Sequence, residues 1–175
     1  MPISTSRTRC SRRCPGSSGT IRILGIDPGL SATGYGVIEK DHAVDFGVIT
    51  TDNTQPTGVR LKRLADKLTE VISENRPQRC AIETLFFKTG GARSVILSAQ
   101  CRGVLLYVLA VHGIPTVEVT PATIKLAVTG SGKASKKQMN YMMSQLLGLG
   151  DDIQEHEADA LAAAFCLARR TLAKR

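Results

Sequence analysis

The sequence predicts one α/β domain in which a mixed five-stranded sheet is covered by helices on both faces. Two observations point to this class. Three strand-like runs follow one another near the start of the body, and short apolar runs then alternate with longer segments whose apolar residues recur at helical spacing. The chain has 175 residues. That length suits a single compact core, since domains most often contain about 100–150 residues.

The first three strands are predicted to form an antiparallel meander. The apolar run 21–26 is the first strand, and the turn residues Pro28-Gly29 follow it closely. Residues 35–40 and 43–51 are the next two strands, which the polar pair Asp41-His42 joins as a hairpin.

Helices and strands alternate after this point. In chain order we predict a helix from Val59 to a stop at Asn75-Arg76-Pro77, a strand over 79–82, a long apolar helix over 93–112 capped by Gly113, a strand over 115–120, a helix beginning at Thr120-Pro121, a helix opened by the capping box of Ser135 and Gln138 that ends near Gly148, and a final helix over 155–173.

Acidic residues stand at the ends of two of these strands. Asp27 closes the first strand, and Glu83 closes the strand over 79–82. Removing a carboxylate from water without a partner costs roughly several kcal/mol, unless a shift of its pKa neutralises the group. His156 and Asp159 open the last helix three positions apart, on one helical face with about 5–6 Å between β-carbons. The four side chains therefore form a plausible cluster that binds a metal ion.

Four blocks of the sequence carry a resemblance to a known family. They are Ile23-Leu24-Gly25-Ile26-Asp27-Pro28-Gly29, Thr33-Gly34-Tyr35-Gly36-Val37-Ile38, Ala81-Ile82-Glu83 with Phe86, and Glu157-Ala158-Asp159-Ala160-Leu161-Ala162. In this order and spacing they resemble the RuvC family of bacterial Holliday-junction resolvases, which have a ribonuclease H-like fold. The resemblance extends from about residue 21 to residue 171, and the four blocks together are far more specific than any one of them.

The resemblance implies an activity and a set of site residues. It implies a homodimeric endonuclease of DNA recombination and repair that makes paired symmetric nicks in four-way junctions and leaves 5'-phosphate and 3'-hydroxyl ends. Asp27, Glu83 and Asp159 match catalytic acids of the family, Phe86 matches the ring that stacks on opened bases, and Lys125 and Lys136 match residues that contact the junction backbone. RuvA and RuvB branch-migration proteins are implied as partners.

The chemistry expected of the acids agrees with that activity. Two divalent ions about 3.5–4 Å apart can stabilise both the attacking and the leaving oxygen of a phosphodiester displacement. Magnesium prefers oxygen ligands and is usually held by one or two carboxylates together with substrate phosphate. We therefore expect two Mg²⁺ ions per active site, with Mn²⁺ as a substitute, held by Asp27, Glu83, His156 and Asp159.

His156 departs from many relatives, which carry Asp at this place, although other members carry His. The change removes one negative charge. We hypothesise that the neutral imidazole either ligates the second ion or takes a proton from the attacking water, because its unperturbed pKa of about 6.5 suits both roles.

Four lysines surround a glycine-containing loop, Thr129-Gly130-Ser131-Gly132, ahead of a predicted helix N-terminus. They are Lys125, Lys133, Lys136 and Lys137. Phosphate is attracted both by lysines and by helix N-termini, so we predict a DNA-binding surface here. A solvated basic loop explains the same residues equally well when the loop is considered alone.

Other interpretations apply to single features. Asp159 or His156 alone is more typical of a solvated first helical turn, and Asp27 alone is a common turn residue before Pro-Gly. Gly29, Gly34 and Gly36 after a strand also resemble the phosphate-binding turn of actin-like and sugar-kinase ATPases, which need a second domain to enclose a nucleotide. Two functional alternatives stay open, namely a junction-binding protein that does not cut and a ribonuclease H-type nuclease that acts on another substrate.

The first twenty residues differ in composition from the rest of the chain. Lys and Arg total 23 against 15 acids, but four arginines and no acid fall in residues 1–20, so the body carries 19 basic residues against 15 acids. We predict a basic arm over 1–20 that is disordered or an artefactual extension, and a nuclease domain over 21–175. The Ser- and Arg-rich arm also matches an organellar transit peptide, a minor alternative to a bacterial cytoplasmic location.

The cysteines and the hydropathy pattern suggest no membrane partner and no disulfide framework. Cys80, Cys101 and Cys166 fall in apolar patterns and are expected to be reduced thiols in the core. Cys10 and Cys14 form a C-x₃-C pair in the arm, which is a weak zinc signal without further ligands nearby. No run of eighteen or more uncharged apolar residues is present, so we expect a soluble protein.

Overall fold

A computed structural model describes residues 6–9, 20–84, 91–149 and 153–172 of the chain, with backbone alone for 6–9 and 172. Cys10, Cys14 and most of the arm lie outside these ranges. The elements in chain order are β1 (Ser6–Arg9), β2 (Arg22–Asp27), β3 (Ala32–Glu39), β4 (His42–Thr50), α1 (Thr57–Asn75), β5 (Arg79–Glu83), α2 (Ala92–Val111), β6 (Thr116–Val119), α3 (Pro121–Thr129), α4 (Lys136–Leu147) and α5 (Glu155–Leu172).

The strands form one mixed sheet in the order β1-β4-β3-β2-β5-β6. Strands β2, β3 and β4 are an antiparallel meander, whereas β5 and β6 lie parallel to β2. The five predicted strands of the body are therefore confirmed. Short connections join the antiparallel strands, while α1 and α2 supply the longer crossovers that parallel neighbours require.

Helices pack on both faces of the sheet, as the sequence predicts. On one face, α1 and α2 cover a cluster that includes Leu24, Ile26, Leu68, Ile82 and Leu105. The other face carries α5 with α3 and α4 beside it. Helix α5 begins just beyond the strand ends where Asp27 and Glu83 stand, and it runs across β2 and β3.

Helix α5 approaches the sheet so closely that only glycine fits beneath it. A β-carbon added at Gly25 of β2 would lie 1.9 Å from the carbonyl oxygen of Ala160, and one at Gly34 of β3 would lie 2.0 Å from that of His156. Both clashes are with backbone atoms of α5, which a rotamer change cannot relieve. The glycines of the first two sequence blocks therefore set the height of α5 above the strands.

Two details differ from the sequence predictions. The chain turns between β3 and β4 at Lys40 and Asp41 instead of at Asp41-His42, and Lys40 adopts a left-handed φ of 57°. The sequence predicts an arm over 1–20 that is disordered or an artefactual extension, whereas Ser6–Arg9 form a strand that pairs antiparallel with β4 and adds a sixth strand to the sheet. Unpaired backbone groups at a sheet edge favour such an addition, which apolar periodicity does not reveal.

Helix α2 is long and apolar enough to cross a membrane, judged by length and composition alone. One side of it packs in the core through Cys101, Leu105, Val108 and Leu109. Arg102 lies on the same helix and pairs with Glu118 of β6 at 2.8 Å. Helix α2 is thus anchored to the sheet along one side, while Ile96, Tyr107 and Val111 are exposed on its surface.

Candidate active site

Asp27 and Glu83 occupy equivalent positions on neighbouring parallel strands. Ile26 of β2 is in register with Ile82 of β5, so the next residue on each strand is an acid. Adjacent strands lie about 4.8 Å apart and side chains alternate between the two faces. Gly25 contacts α5 and Ala81 belongs to the core cluster on that face. Asp27 and Glu83, two residues further along, are therefore on the face covered by α5.

The first turn of α5 brings His156 onto Asp27. Gly34 lies opposite Asp27 in the antiparallel register of β2 and β3, and its lack of a side chain admits the backbone of His156. Nδ1 of His156 and Oδ2 of Asp27 share a hydrogen bond of 2.7 Å. The local packing that buries α5 thus also delivers the imidazole to the strand end.

Asp159 lies one turn further along α5 and contacts a lysine from a different helix. Nζ of Lys136 is 3.0 Å from Oδ2 of Asp159 and also pairs with Glu155. Lys136 is the first residue of α4, whose start is fixed by the capping box of Ser135 and Gln138. Burial alone would lower the pKa of Lys136, but its hydrogen bonds with Glu155 and Asp159 outweigh burial and raise that pKa.

The electrostatics of Asp27 identify a surplus of negative charge. Burial raises the pKa of the Asp27 carboxyl above its ordinary value, and the neighbouring Asp159 raises it further. The hydrogen bond from His156 and the charge of Lys136 act in the opposite direction without cancelling the rise. A carboxylate in such surroundings gains stability when a cation binds beside it. Asp27 and Asp159 are close enough to interact electrostatically. A cation bound beside one of the two carboxylates would therefore also be attracted by the other.

The donor set suits a hard divalent ion, although its side chains are not arranged as ligands here. Among the described residues, no three His, Cys, Asp or Glu side chains are grouped closely enough to hold a metal ion. His156 and Lys136 instead contact Asp27 and Asp159 directly. Carboxylate oxygens on two adjacent strand ends and on α5, with one imidazole, are nonetheless the donor types that Mg²⁺ and Mn²⁺ accept. The predicted four-residue metal site stays a prediction.

The four predicted DNA-binding lysines fall into two groups. Lys136 lies within the carboxylate cluster, so it is closer to the acids than the sequence indicated. Lys125 on α3 is half-buried, while Lys133 and Lys137 are exposed around the loop before α4, and none of the ion pairs among residues 20–84, 91–149 and 153–172 involves these three. Phe86 lies in 85–90, outside the described residues.

Comparison with known proteins decides the family. The family model described as crossover junction endodeoxyribonuclease RuvC matches residues 23–167. The chain belongs to the RuvC family. A RuvC from Treponema pallidum strain Nichols is 44% identical over 156 residues, which cover 86% of this chain and 79% of that protein. A RuvC from Neisseria meningitidis serogroup A is 40% identical over 157 residues, covering 87% of this chain and 88% of that protein.

Solved structures agree with this assignment. Thermus thermophilus RuvC in complex with a Holliday junction substrate aligns with a TM-score of 0.83 at 28% identity, over 88% of this chain and 96% of that one. The yeast mitochondrial Holliday junction resolvase aligns with a TM-score of 0.60 at 14% identity, over 86% of this chain and 78% of that one, and shows the shared fold alone. The ribonuclease H-like fold is therefore confirmed, and RuvC proteins are metal-dependent nucleases.

Sequence reasoning missed one charged member of the cluster. Glu155 pairs with Lys136 at the start of α5 and is held beside Asp159. The hydrogen bond that Lys136 donates to Glu155, together with the positive charge of Lys136, lowers the pKa of Glu155. Glu155 and Asp159 are four positions apart, so helical spacing alone would have put both on one face of the helix.

Proposed function

We propose that this chain is a structure-selective DNA endonuclease that resolves four-way junctions as a homodimer through paired, metal-dependent nicks leaving 5'-phosphate and 3'-hydroxyl ends. The observation that carries the proposal is the meeting of Asp27, His156, Asp159 and Lys136 at one end of the sheet, in a chain of the RuvC family. Its relatives are named for crossover junction cleavage, and one of them is described in complex with a Holliday junction.

The acids would hold the ions and place the scissile phosphate. Bound divalent cations, Mg²⁺ with Mn²⁺ as a substitute, would stabilise the charge that develops on the attacking and leaving oxygens. Asp27 and Glu83 would hold one side of the site because they project from adjacent strands on the same face. Asp159 would hold the other side from α5, where the ammonium group of Lys136 already pairs with its carboxylate.

His156 is suited to orient or deprotonate a water beside Asp27. The ring shares Nδ1 with the Asp27 carboxylate, which leaves Nε2 for an ion or for the attacking water. The side chain is about half exposed, so water reaches it. Holding one ring nitrogen in a hydrogen bond fixes which nitrogen is available at the other side.

Lysines would contact the phosphate backbone on either side of the scissile bond. Lys136 can exchange its carboxylate partners for a phosphate, and Lys125, Lys133 and Lys137 extend positive charge along α3 and the loop before α4. Phe86 would stack on a base opened at the crossover, where stacking contributes about 1–3 kcal/mol per base. Such contacts favour a distorted junction over a plain duplex.

The exposed apolar side of α2 supports the homodimer. Ile96, Tyr107 and Val111 are all more than half exposed on a helix whose opposite side is buried in the core. A second copy packed on this side would remove the apolar surface from water and would give a two-fold pair of active sites for two matched nicks. RuvA and RuvB remain proposed partners of that assembly.

One substrate panel tests the proposal against its two alternatives. End-labelled four-way junction, linear duplex and RNA:DNA hybrid are incubated with the wild-type chain and Mg²⁺, Mn²⁺ or a chelator. We expect paired nicks in the four-way junction alone, none with the chelator. Binding of the junction without any cutting would support a non-cleaving binding protein. Cutting of the hybrid in preference to the junction would instead support a ribonuclease H-type nuclease.

A further inference from the structure

The turn that follows Asp27 is held by a bond to each of three successive carbonyl oxygens. The carbonyl of Gly29 accepts from Oγ1 of Thr33 at 2.6 Å. The carbonyl of Leu30 accepts from Oγ1 of Thr51 at 2.5 Å, and that of Ser31 accepts from the backbone N–H of Thr51 at 3.0 Å. Connecting turns usually leave such groups to water. This turn is therefore fixed along its length by β3 and by the residue after β4.

Arg60 of α1 adds two further hydrogen bonds to the residues that hold the turn. Its Nε donates to Oγ1 of Thr51 at 2.9 Å, and its Nη2 donates to Oγ of Ser31 at 3.0 Å. The residue is only 8% exposed, as is Thr51. One guanidinium thus connects helix α1 both to Ser31 in the turn and to Thr51, which holds the turn from the end of β4.

The direction of these bonds makes Arg60 more than a packing residue. The hydroxyl of Thr51 has a single proton, which it donates to the carbonyl of Leu30. Its oxygen can then only accept, and the donor it accepts from is Nε of Arg60. Arg60 always carries its charge, so it polarises the Thr51 hydroxyl and strengthens the bond to the turn. A lysine has no planar fork with which to reach Thr51 and Ser31 together.

Arg60 is also a buried charge that has no directly bound carboxylate among the described residues. Within residues 20–84, 91–149 and 153–172 its side chain donates hydrogen bonds to the hydroxyls of Thr51 and Ser31, and the carboxylate of Asp52 interacts with it electrostatically without forming an ion pair. Removing a charged group from water without a counter-charge is costly. A neutral side chain of the same volume would fill the space at lower cost, so packing alone does not account for an arginine here.

We propose that Arg60 is a positioning residue for the active site: through Thr51 and Ser31 it holds the turn 28–31, and thereby the end of β2, so that Asp27 is presented for ion binding. The inference rests on the proposed function, because it assigns Arg60 to the ion-binding acid of that site. Arg60 does not touch the reacting atoms. Its loss is expected to weaken ion binding and the rate at saturating ion, and to leave binding of the junction unchanged.

The test compares substitutions along the chain of contacts. Arg60→Met removes the hydrogen bonds to Thr51 and Ser31 at similar side-chain volume, and Arg60→Lys keeps the charge without the planar guanidinium. Thr51→Val removes the hydroxyl that connects Arg60 to the carbonyl of Leu30, whereas Thr51→Ser retains that hydroxyl. Arg63→Met is the matched control, because Arg63 lies on the same helix and donates to the carbonyl of Thr50 at 3.0 Å without reaching the turn. Ser31→Ala, at an exposed position, covers the case in which Arg60→Met fails to fold.

Three readouts separate positioning from simple stability. Mn²⁺ binding is measured by calorimetry without DNA, junction binding is measured in Ca²⁺, and amide hydrogen exchange is followed in the turn. We expect Arg60→Met, Arg60→Lys and Thr51→Val to weaken Mn²⁺ binding by about 10-fold or more, the range seen when a residue that holds a metal ligand is lost. Exchange in the turn should rise, Ser31→Ala should act in the same direction more weakly, and Thr51→Ser should match wild type.

The outcomes that overturn the proposal differ from those that overturn the proposed function. If Arg60→Met, or Ser31→Ala where Arg60→Met does not fold, binds Mn²⁺ with wild-type affinity and differs from Arg63→Met only in melting temperature, Arg60 is a structural residue. If the wild-type chain binds Mn²⁺ but cuts no four-way junction, the proposed function fails while the Mn²⁺ series still tests Arg60.

Discussion

An acidic side chain is buried or half-buried at each end of strand β2, and its surroundings shift its pKa in opposite directions at the two ends. At the start of β2, Arg22 pairs with Glu39 of β3 at 3.0 Å, and the hydroxyl of Thr20 donates to the same carboxylate at 2.6 Å. Those hydrogen bonds lower the pKa of Glu39 despite its burial. At the other end, burial and a second acid, Asp159, raise the pKa of Asp27.

The difference separates a charge that stabilises the fold from one that the fold tolerates. Glu39 has a cation and a hydroxyl of its own, so its ionised form favours the folded state. Asp27 has a hydrogen bond with His156, but the lysine that acts on it is paired directly with the neighbouring carboxylate of Asp159, so burial and Asp159 disfavour its ionised form until a further cation arrives. Surplus negative charge at the carboxyl end of the sheet therefore marks the site better than burial does.

The largest expected effect comes from neutralising each acid in turn. Asp27→Asn should reduce junction cleavage by at least about 10²-fold, the scale for losing one stabilising group in a transition state. It should not lower the melting temperature at pH 7, since it relieves charge that burial disfavours. Glu39→Gln should do the reverse, with normal cleavage and a lower melting temperature. Equal destabilisation by both changes, measured by thermal unfolding, would remove the contrast between the two ends.

The next effect concerns the packing of α5, which brings His156 and Asp159 to the sheet. Gly34→Ala places a β-carbon 2.0 Å from the carbonyl oxygen of His156, so the first turn of α5 must move. Overpacking of this kind typically costs about 1–3 kcal/mol of unfolding free energy. Gly58→Ala in α1 is the control, because nothing lies within 4 Å of its β-carbon. Denaturant unfolding should show Gly34→Ala destabilised and Gly58→Ala unchanged or more stable.

A smaller and more selective effect is expected at His156. His156→Ala should lose activity mainly at low metal concentration or shift the pH profile of cleavage, because the ring is held on Asp27 and suits either ion or proton binding. His112→Ala, at the exposed end of α2, is the control. Cleavage rates measured against Mg²⁺ concentration and against pH decide the matter, and wild-type behaviour of His156→Ala in both would dismiss the role.

The smallest effect is the pH dependence of the Glu39 end. Because the folded-state pKa of Glu39 lies below its ordinary value of 4.5, its contribution to stability is present above that value and is lost as the pH falls through the lowered pKa. Wild type should therefore be more stable than Glu39→Gln by a constant margin from pH 7 down to about 4.5, and the margin should shrink below it. A margin that stays constant under strongly acidic conditions would contradict the assignment.

Sequence alone predicted that the acids of the candidate site stand at strand ends and on one helical turn, because strand ends and helical spacing are local signals. Asp27 and Glu83 could be placed at strand ends by apolar runs, and His156 with Asp159 by a spacing of three. The contact of Lys136 with Asp159 depends on how α4 docks against α5, and the bonds from Arg60 to the turn depend on how α1 docks under the sheet. No periodicity encodes such contacts. Strand β1 was missed because its pairing with β4 is made by backbone groups.

The central claim is that Asp27, Glu83 and Asp159 form one site for divalent ions, and anomalous scattering from Mn²⁺ tests it most directly. Crystals of the wild-type chain with a four-way junction, soaked in Mn²⁺, should give a peak ligated by oxygens of both Asp27 and Glu83, with Asp159 or His156 on the same ion or an adjacent one. A peak that contacts Asp27 without Glu83, or none of the three acids, would contradict the account.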